Sequence, residues 1–260
     1  MRSAGGRSSR SGGSGSGRRR TGIAALADEL GVATFPTYDD GREVLEMGGK
    51  RTTYSDFNRV RPELLRDLSR AISPLALIDF EQARARLDRM ARRVPLEAPW
   101  EAPKARLWDS QTFATWVRRN TRTADARSLF ELVTEAVWAA EPADVSLLHV
   151  LFYTRSGSGF NSLIGTDGGA QQDRFDGGSQ RLALLMAEEL GEECLRLGAP
   201  VRRIEHGADG VVLHADGGSV GPATLRAKRA IVAVPPTIAG RIAYDPPLPA
   251  LRDQLTQRMP

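Results

Sequence analysis

The sequence predicts a mixed α/β chain, mostly helical over its first two thirds and strand-rich in its last third. Three observations carry this. Residues 58–93, 129–140 and 146–154 place apolar side chains at helical spacing. The segments VRRIEH and GVVLHA flank Ala208-Asp209-Gly210 and read as two strands around a tight turn. The run KRAIVAV, residues 228–234, is continuously apolar after its two cations and stops at Pro235-Pro236, the pattern of a strand buried on both faces.

The stretch joining the two regimes is DGGAQQDRFDGGSQRLALLMAEEL, residues 167–190. Its pairs Gly168-Gly169 and Gly177-Gly178 mark places where the backbone turns sharply or approaches another segment closely. Leu182, Leu185, Met186 and Leu190 then form one apolar stripe at i, i+3, i+4 and i+8, with Ser179 at the N-cap position and Gly191 at C′.

In chain order, residues 23–30 are rich in Ala, Leu and Glu and predict a helix ended by Gly31. Asp40-Gly41 and Gly48-Gly49 separate short β-prone runs, which predicts strand–turn–strand over 34–54. Pro62 and Pro74 divide the helical pattern of 58–93 into pieces, the last with Ala83, Leu87 and Met90 on one face and arginines on the other. Pro99 and Pro103 predict an extended connection. Trp100, Trp108 and Trp116 recur every eight residues, which is no helical period, and are expected to anchor this segment to a core. Asp109 or Ser110 is the expected cap of a helix through Val117.

Residues 129–140 read as a buried helix, and Asp144 or Ser146 as the start of another that carries His149 as a core residue. His206 and His214 match no metal-ligand spacing. In the β region, 194–197 is expected to be a short strand and 219–225 a weaker one. A Pro-rich loop and a final helix follow Pro236.

Composition narrows the classes of function. The chain has 260 residues, 41% of them apolar and 26% charged, as in ordinary globular proteins. No apolar run approaches the ~20 residues of a membrane span, and no apolar segment follows the basic N-terminus as in a secretory leader. Cys194 is the single cysteine, which excludes an intrachain disulfide and suits a cytoplasmic location. The first 20 residues hold six Arg, six Gly, six Ser and no acid; without them the net charge falls from +4 to −2. Residues 1–21 therefore read as a disordered tail. A body with no basic face of interleaved aromatics argues against a nucleic-acid partner.

Five segments, taken together and in order, resemble the flavin-dependent amine oxidases, the family of monoamine oxidase. They are GIAALADELG, APWEAPKARLWDSQTFATWV, DGGAQQDRFDGGSQ, IVAVPP and YDPPLPALRDQLTQRMP, and the match covers about residues 22–260. The resemblance implies a partial FAD-binding sheet domain interleaved with a mostly helical substrate domain. Residues 22–35 would be a remnant of the FAD domain, 36–174 the substrate domain, 175–241 a return to the FAD domain, and 242–260 the start of a further substrate-domain segment. It implies FAD as cofactor, a small-molecule amine and O2 as partners in oxidative deamination, and a homodimer or a complementing chain as open alternatives. Val201 matches the family residue whose backbone meets the adenine of FAD. Gln171 matches the glutamine lining the substrate cavity, and Leu163 and Ile164 the apolar cavity wall. The flavin carries the chemistry, so no residue here is expected to be catalytic.

The departure from the family is equally informative. A dinucleotide-binding unit runs strand, G-x-G-x-x-G, helix, with an acidic residue ~20 positions on, and these 260 residues contain no such unit. Gly5, Gly6 and Arg7 resemble the GGR that meets the pyrophosphate in the family, as a three-residue match only. The expectation is a central slice of an amine oxidase, and an inactive fragment or one part of a split assembly is the alternative to an active enzyme.

Overall fold

The computed structural model describes residues 21–54, 62–166, 168–218 and 221–258. The N-terminal tail, with Gly5, Gly6 and Arg7, lies outside them, as does Asp167. The chain forms two compact units, Met1–Leu182 and Ala183–Pro260.

Through the first unit run α1 (Thr21–Glu29), β1 (Thr34–Pro36), β2 (Glu43–Met47), β3 (Lys50–Tyr54), α2 (Pro62–Leu68), α3 (Pro74–Ala91), α4 (Ala105–Asp109), α5 (Phe113–Asn120), α6 (Ala124–Trp138), α7 (Leu147–Ser156), α8 (Phe160–Ile164) and β4 (Asp173–Phe175). The expected strand–turn–strand resolves into two separate pairings. β2 and β3 form a hairpin through Gly48 and Gly49, both at positive φ (57° and 74°), the conformation a two-residue hairpin turn demands. β1 instead pairs antiparallel with β4, so the Asp40-Gly41 turn joins no hairpin. Sequence-adjacent β-prone runs do not pair here because the distant 173–175 segment takes the edge of 34–36.

Pro62 and Pro74 begin helices rather than break them, since the first helical position needs no N–H. Side-chain oxygens cap the major helices: Ser73 accepts from Ala76 N, Thr123 from Ala126 N and Ser146 from His149 N. For α5 the cap is Thr112, which accepts from Thr115 N; Asp109 and Ser110 instead close α4. The core centres on Phe130, whose ring lies 4.6 Å from that of Phe80 and 5.8 Å from those of Phe113 and Phe160. Phe80, Leu87, Leu147, Leu151 and Val150 are fully buried around it. Trp108 and Trp116 join this core, but Trp100 is 69% exposed, so the eight-residue spacing does not make the three tryptophans one set. His149 lies on the exposed side of α7, beside the ring of Tyr153, and is not the expected core residue.

α9 (Gln180–Leu190) carries the division between the units. The second unit holds β5 (Val201–Gly207), β6 (Gly210–Gly218), β7 (Gly221–Ala227), α10 (Pro236–Ala239), β8 (Ala243–Asp245) and α11 (Ala250–Arg258). Its sheet has the order β7-β6-β5-β8, antiparallel except for the parallel β5–β8 pair. The weaker strand predicted over 219–225 has its first two residues outside the described ones, and the rest falls in β7, while 194–197 is no strand; a 3-10 turn, Glu192–Cys194, stands at its start.

The larger correction concerns residues 228–234. They form no strand among the described residues, and Ile231 is 92% exposed. A doubly buried strand needs neighbours on both edges and layers on both faces, and no described segment is hydrogen-bonded to this run. The stripe on α9 has a related outcome: Leu182 is buried, Leu185 half-buried, and Met186 and Leu190 are exposed.

Candidate active site

Four pieces of the first unit converge on one cavity. The β2–β3 hairpin brings Leu45 inward and sets Glu43 directly opposite Tyr54. From α3 comes Phe80. From α6 come Leu129, Leu132, Val133 and Ala136, spaced i, i+3, i+4 and i+7 on one helix face. The end of α8 supplies Ile164, followed by Gly165 and Thr166, and Asp39 completes the lining. The space measures about 170 Å³. Among the described residues its lining is apolar apart from Asp39, Glu43, Tyr54 and Thr166.

The local sequence explains why α8 ends there. Asp88 of α3 accepts a hydrogen bond from Phe160 N at 3.0 Å, which ties the first turn of α8 to α3. The following loop folds back on the helix end: Ala170 N donates to Ser162 O (2.7 Å) and Gln171 N to Gly165 O (3.1 Å). A side chain at Gly169 would place its Cβ only 2.0 Å from Gly165 O, so this close approach requires glycine.

The phenol of Tyr54 is pushed well above its ordinary pKa, first by burial and then by its hydrogen bond to Glu43 and the charge there. It stays protonated and donates to the Glu43 carboxylate. Arg42, the neighbouring cation, is turned elsewhere, to Asp67 Oδ2 at 2.5 Å and Thr53 O at 2.6 Å. No Lys or Arg lines the cavity among the described residues.

The predicted substrate residues fall in three different settings. Ile164 lines the cavity. Leu163 is buried but packs beside Gly157 and is not in the described lining. Gln171 is exposed and reaches the rim through its backbone bond to Gly165. Sequence reasoning missed the α6 face and the polar residues Asp39, Glu43 and Tyr54. The i, i+3, i+4, i+7 pattern of α6 was visible but reads equally well as core.

In the second unit, Val201 opens β5 opposite Ala215 of β6. β8 begins at Ala243 opposite Arg203, so among the described residues Val201 has a strand partner on one side only. That one-sided position fits a backbone offering hydrogen bonds to a planar base such as adenine. No strand followed by a G-x-G-x-x-G loop and a helix occurs among the described residues; β4, the pair Gly177-Gly178 and α9 follow one another without that glycine spacing. The depression of about 600 Å³ around the β5–β6 turn is larger than the cavity of the first unit, but charged side chains and turn backbone make up most of it, so it suits a small apolar amine poorly. The histidines of this region have ordinary partners: His214 Nε2 lies 2.9 Å from Glu205 Oε1 and His206 Nε2 lies 2.8 Å from Pro246 O. No group of residues suited to a metal ion occurs among the described residues, and none of their helices is long and apolar enough to cross a membrane.

The apolar cavity of the helical unit suits a small organic ligand. The family profile "Flavin containing amine oxidoreductase" matches residues 15–260, and the chain belongs to that family, whose cofactor is FAD. It is 37% identical over 238 residues to "Probable flavin-containing monoamine oxidase A" of Dictyostelium discoideum, covering 92% of this chain and 49% of that protein. It is 35% identical to an L-amino acid dehydrogenase of Synechocystis, covering 91% of this chain and 47% of that one. Putrescine oxidase solved with putrescine superposes with a TM-score of 0.78 at 30% identity, over 92% of this chain and 50% of that one. The chain thus spans about half the length of the relatives it matches.

Proposed function

We propose that the chain carries the amine pocket and part of the FAD seat of an amine oxidase that deaminates small amines oxidatively. The observation that carries this reading is the apolar cavity between the hairpin, α3, α6 and Ile164 in a chain of this family. FAD, when bound, supplies acceptance of a hydride equivalent from the amine α-carbon, leaving an imine that water hydrolyses, and reduction of O2 to H2O2.

The remaining roles belong to this chain. Leu45, Phe80, Leu129, Val133 and Ile164 enclose the carbon skeleton and exclude water, which favours the neutral amine. Gln171 orients the nitrogen with an uncharged amide that both donates and accepts. Val201 holds the adenine through its backbone. The cytoplasm is the proposed location.

A second reading rests on residues 228–234. An apolar run without a strand partner among the described residues supports a chain that acts only when another polypeptide, a complementing chain or a second copy, completes its sheet. One preparation separates the two readings. The purified chain is mixed with FAD, freed of excess, and its visible spectrum and amine-dependent H2O2 production are recorded. A stoichiometric flavin band with H2O2 release supports the self-sufficient enzyme. A colourless, inactive chain supports the second reading.

A further inference from the structure

We propose that the cavity selects diamines, seating the ammonium that does not react against Glu43 and Asp39. The inference rests on the amine-oxidase reading and names the substrate class for that site. Its basis is the uneven distribution of charge around the cavity. Leu45, Phe80, Leu129, Leu132 and Val133 make an apolar wall, and the acidic residues Asp39 and Glu43 line the same space, with no Lys or Arg in the lining among the described residues. Glu43 is held in place there by Tyr54, its cross-strand partner and hydrogen-bond donor. Arg42, which could have neutralised it, is engaged by Asp67 and Thr53.

Carboxylates in this position are the wrong partners for the reacting nitrogen. Loss of hydride from the α-carbon needs a free lone pair on that nitrogen, and a neighbouring carboxylate stabilises the protonated form instead. The same groups are the right partners for a second nitrogen that stays charged throughout. An apolar spacer between the two nitrogens matches the apolar wall. The two carboxylates also disfavour amino acids, whose own carboxylate would meet like charge.

The test compares two ligands of equal length, 1,6-diaminohexane and 1-aminohexane, by calorimetric titration of the full chain without flavin. The diamine is expected to bind about tenfold more tightly at low salt, the scale of two partly exposed ion pairs acting together. The ratio should fall several-fold at ~0.5 M salt, where such pairs are screened. In Asp39→Asn/Glu43→Gln the ratio should drop to about 1 or below. Equal binding of the two ligands, a preference that survives the double substitution, or binding of neither ligand would overturn the proposal. The wild-type ratio and its salt dependence decide the matter even if the double variant fails to fold. Failure of the self-sufficient-enzyme reading looks different: the diamine preference stands, but no H2O2 forms from either ligand with FAD present. Oxidation of both amines with a binding ratio of 1 sinks the diamine inference alone.

Discussion

Residues 21–182 and residues 183–260 use similar apolar side chains to opposite effect. In the first unit Phe80, Phe113, Phe130 and Phe160 pack on one another with essentially no exposed surface. In the second, Ile204 and Ala215 are the buried apolar residues among those described, while Leu184, Leu197, Ile231 and Leu251 are more than half exposed. Its β5–β6–β7 ladder is well paired, so backbone hydrogen bonding is in place although few of the described apolar side chains of this unit are buried. Hydropathy alone does not bury a residue; an element must lie across from it. The first unit has those elements within its own sequence.

The contrast predicts where substitution is costly. Phe130→Ala removes the ring at the centre of the aromatic cluster and should destabilise the first unit by about 3–5 kcal/mol in denaturant titration. Far-UV signals of the β5–β7 sheet should be nearly unchanged by it. Loss of both units together would show that they fold as one, and the comparison would fail.

Asp79 gives a smaller, pH-dependent effect. Its carboxylate accepts from Arg122 N (2.7 Å), Thr123 N (2.8 Å) and Thr123 Oγ1 (2.9 Å), fastening the start of α6 to α3. Desolvation pushes its pKa up, but these bonds and the Arg122 charge together outweigh it and hold the carboxyl below its ordinary value. A lowered folded pKa means the stabilisation is fully present above the unfolded value and lost as pH falls through the folded one. Asp79→Ala should therefore cost about 2 kcal/mol at pH 7. The gap to wild type should close progressively below about pH 4. A gap independent of pH would mean that Asp79 acts by packing alone.

Legibility followed the same division. The helices of the first unit were visible because period and cap agree: Ser146 and the apolar run after it specify α7 twice over. Caps separated by two or three positions were not resolvable, as with Thr112 against Asp109 and Ser110. Pairing across distance was invisible, so nothing in TFP points to DRF at 173–175. Of the site, Ile164 was named through its neighbours in DGGAQQDRF, whereas the two carboxylates were not. Asp39 and Glu43 sit in an ordinary loop and strand and come to line one cavity only when the hairpin meets α3, α6 and the end of α8. Residues 228–234 have the composition of a buried strand, and composition records what a segment can do in a sheet, not whether its neighbours are present.

Gly169 sharpens the comparison at the cavity. Gly169→Ala brings a methyl against the backbone of Gly165, which cannot swing aside like a flexible side chain, so the loop must shift. The expected cost is about 1–2 kcal/mol, together with weaker binding of 1-aminohexane in titration, since Gly165 is part of the cavity wall. Unaltered stability and binding would show that the loop relaxes freely and does not set the wall.

The smallest effect is expected at the most exposed apolar side chain. Ile231→Ser in the isolated chain exchanges a residue that is 92% exposed, and its cost should lie within about 0.5 kcal/mol. Light scattering at increasing protein concentration should fall relative to wild type, because a row of apolar residues with open backbone groups is a template for edge pairing. A cost above about 1 kcal/mol would have a definite meaning. Ile231 would then be covered in solution, by a second copy or by another part of the same chain. In the first case the cost would vanish on dilution, whereas a cost intrinsic to the fold would not depend on concentration. Stability measured at two protein concentrations tells these apart, and with them whether Ile231 is covered within its own chain or by another copy of it.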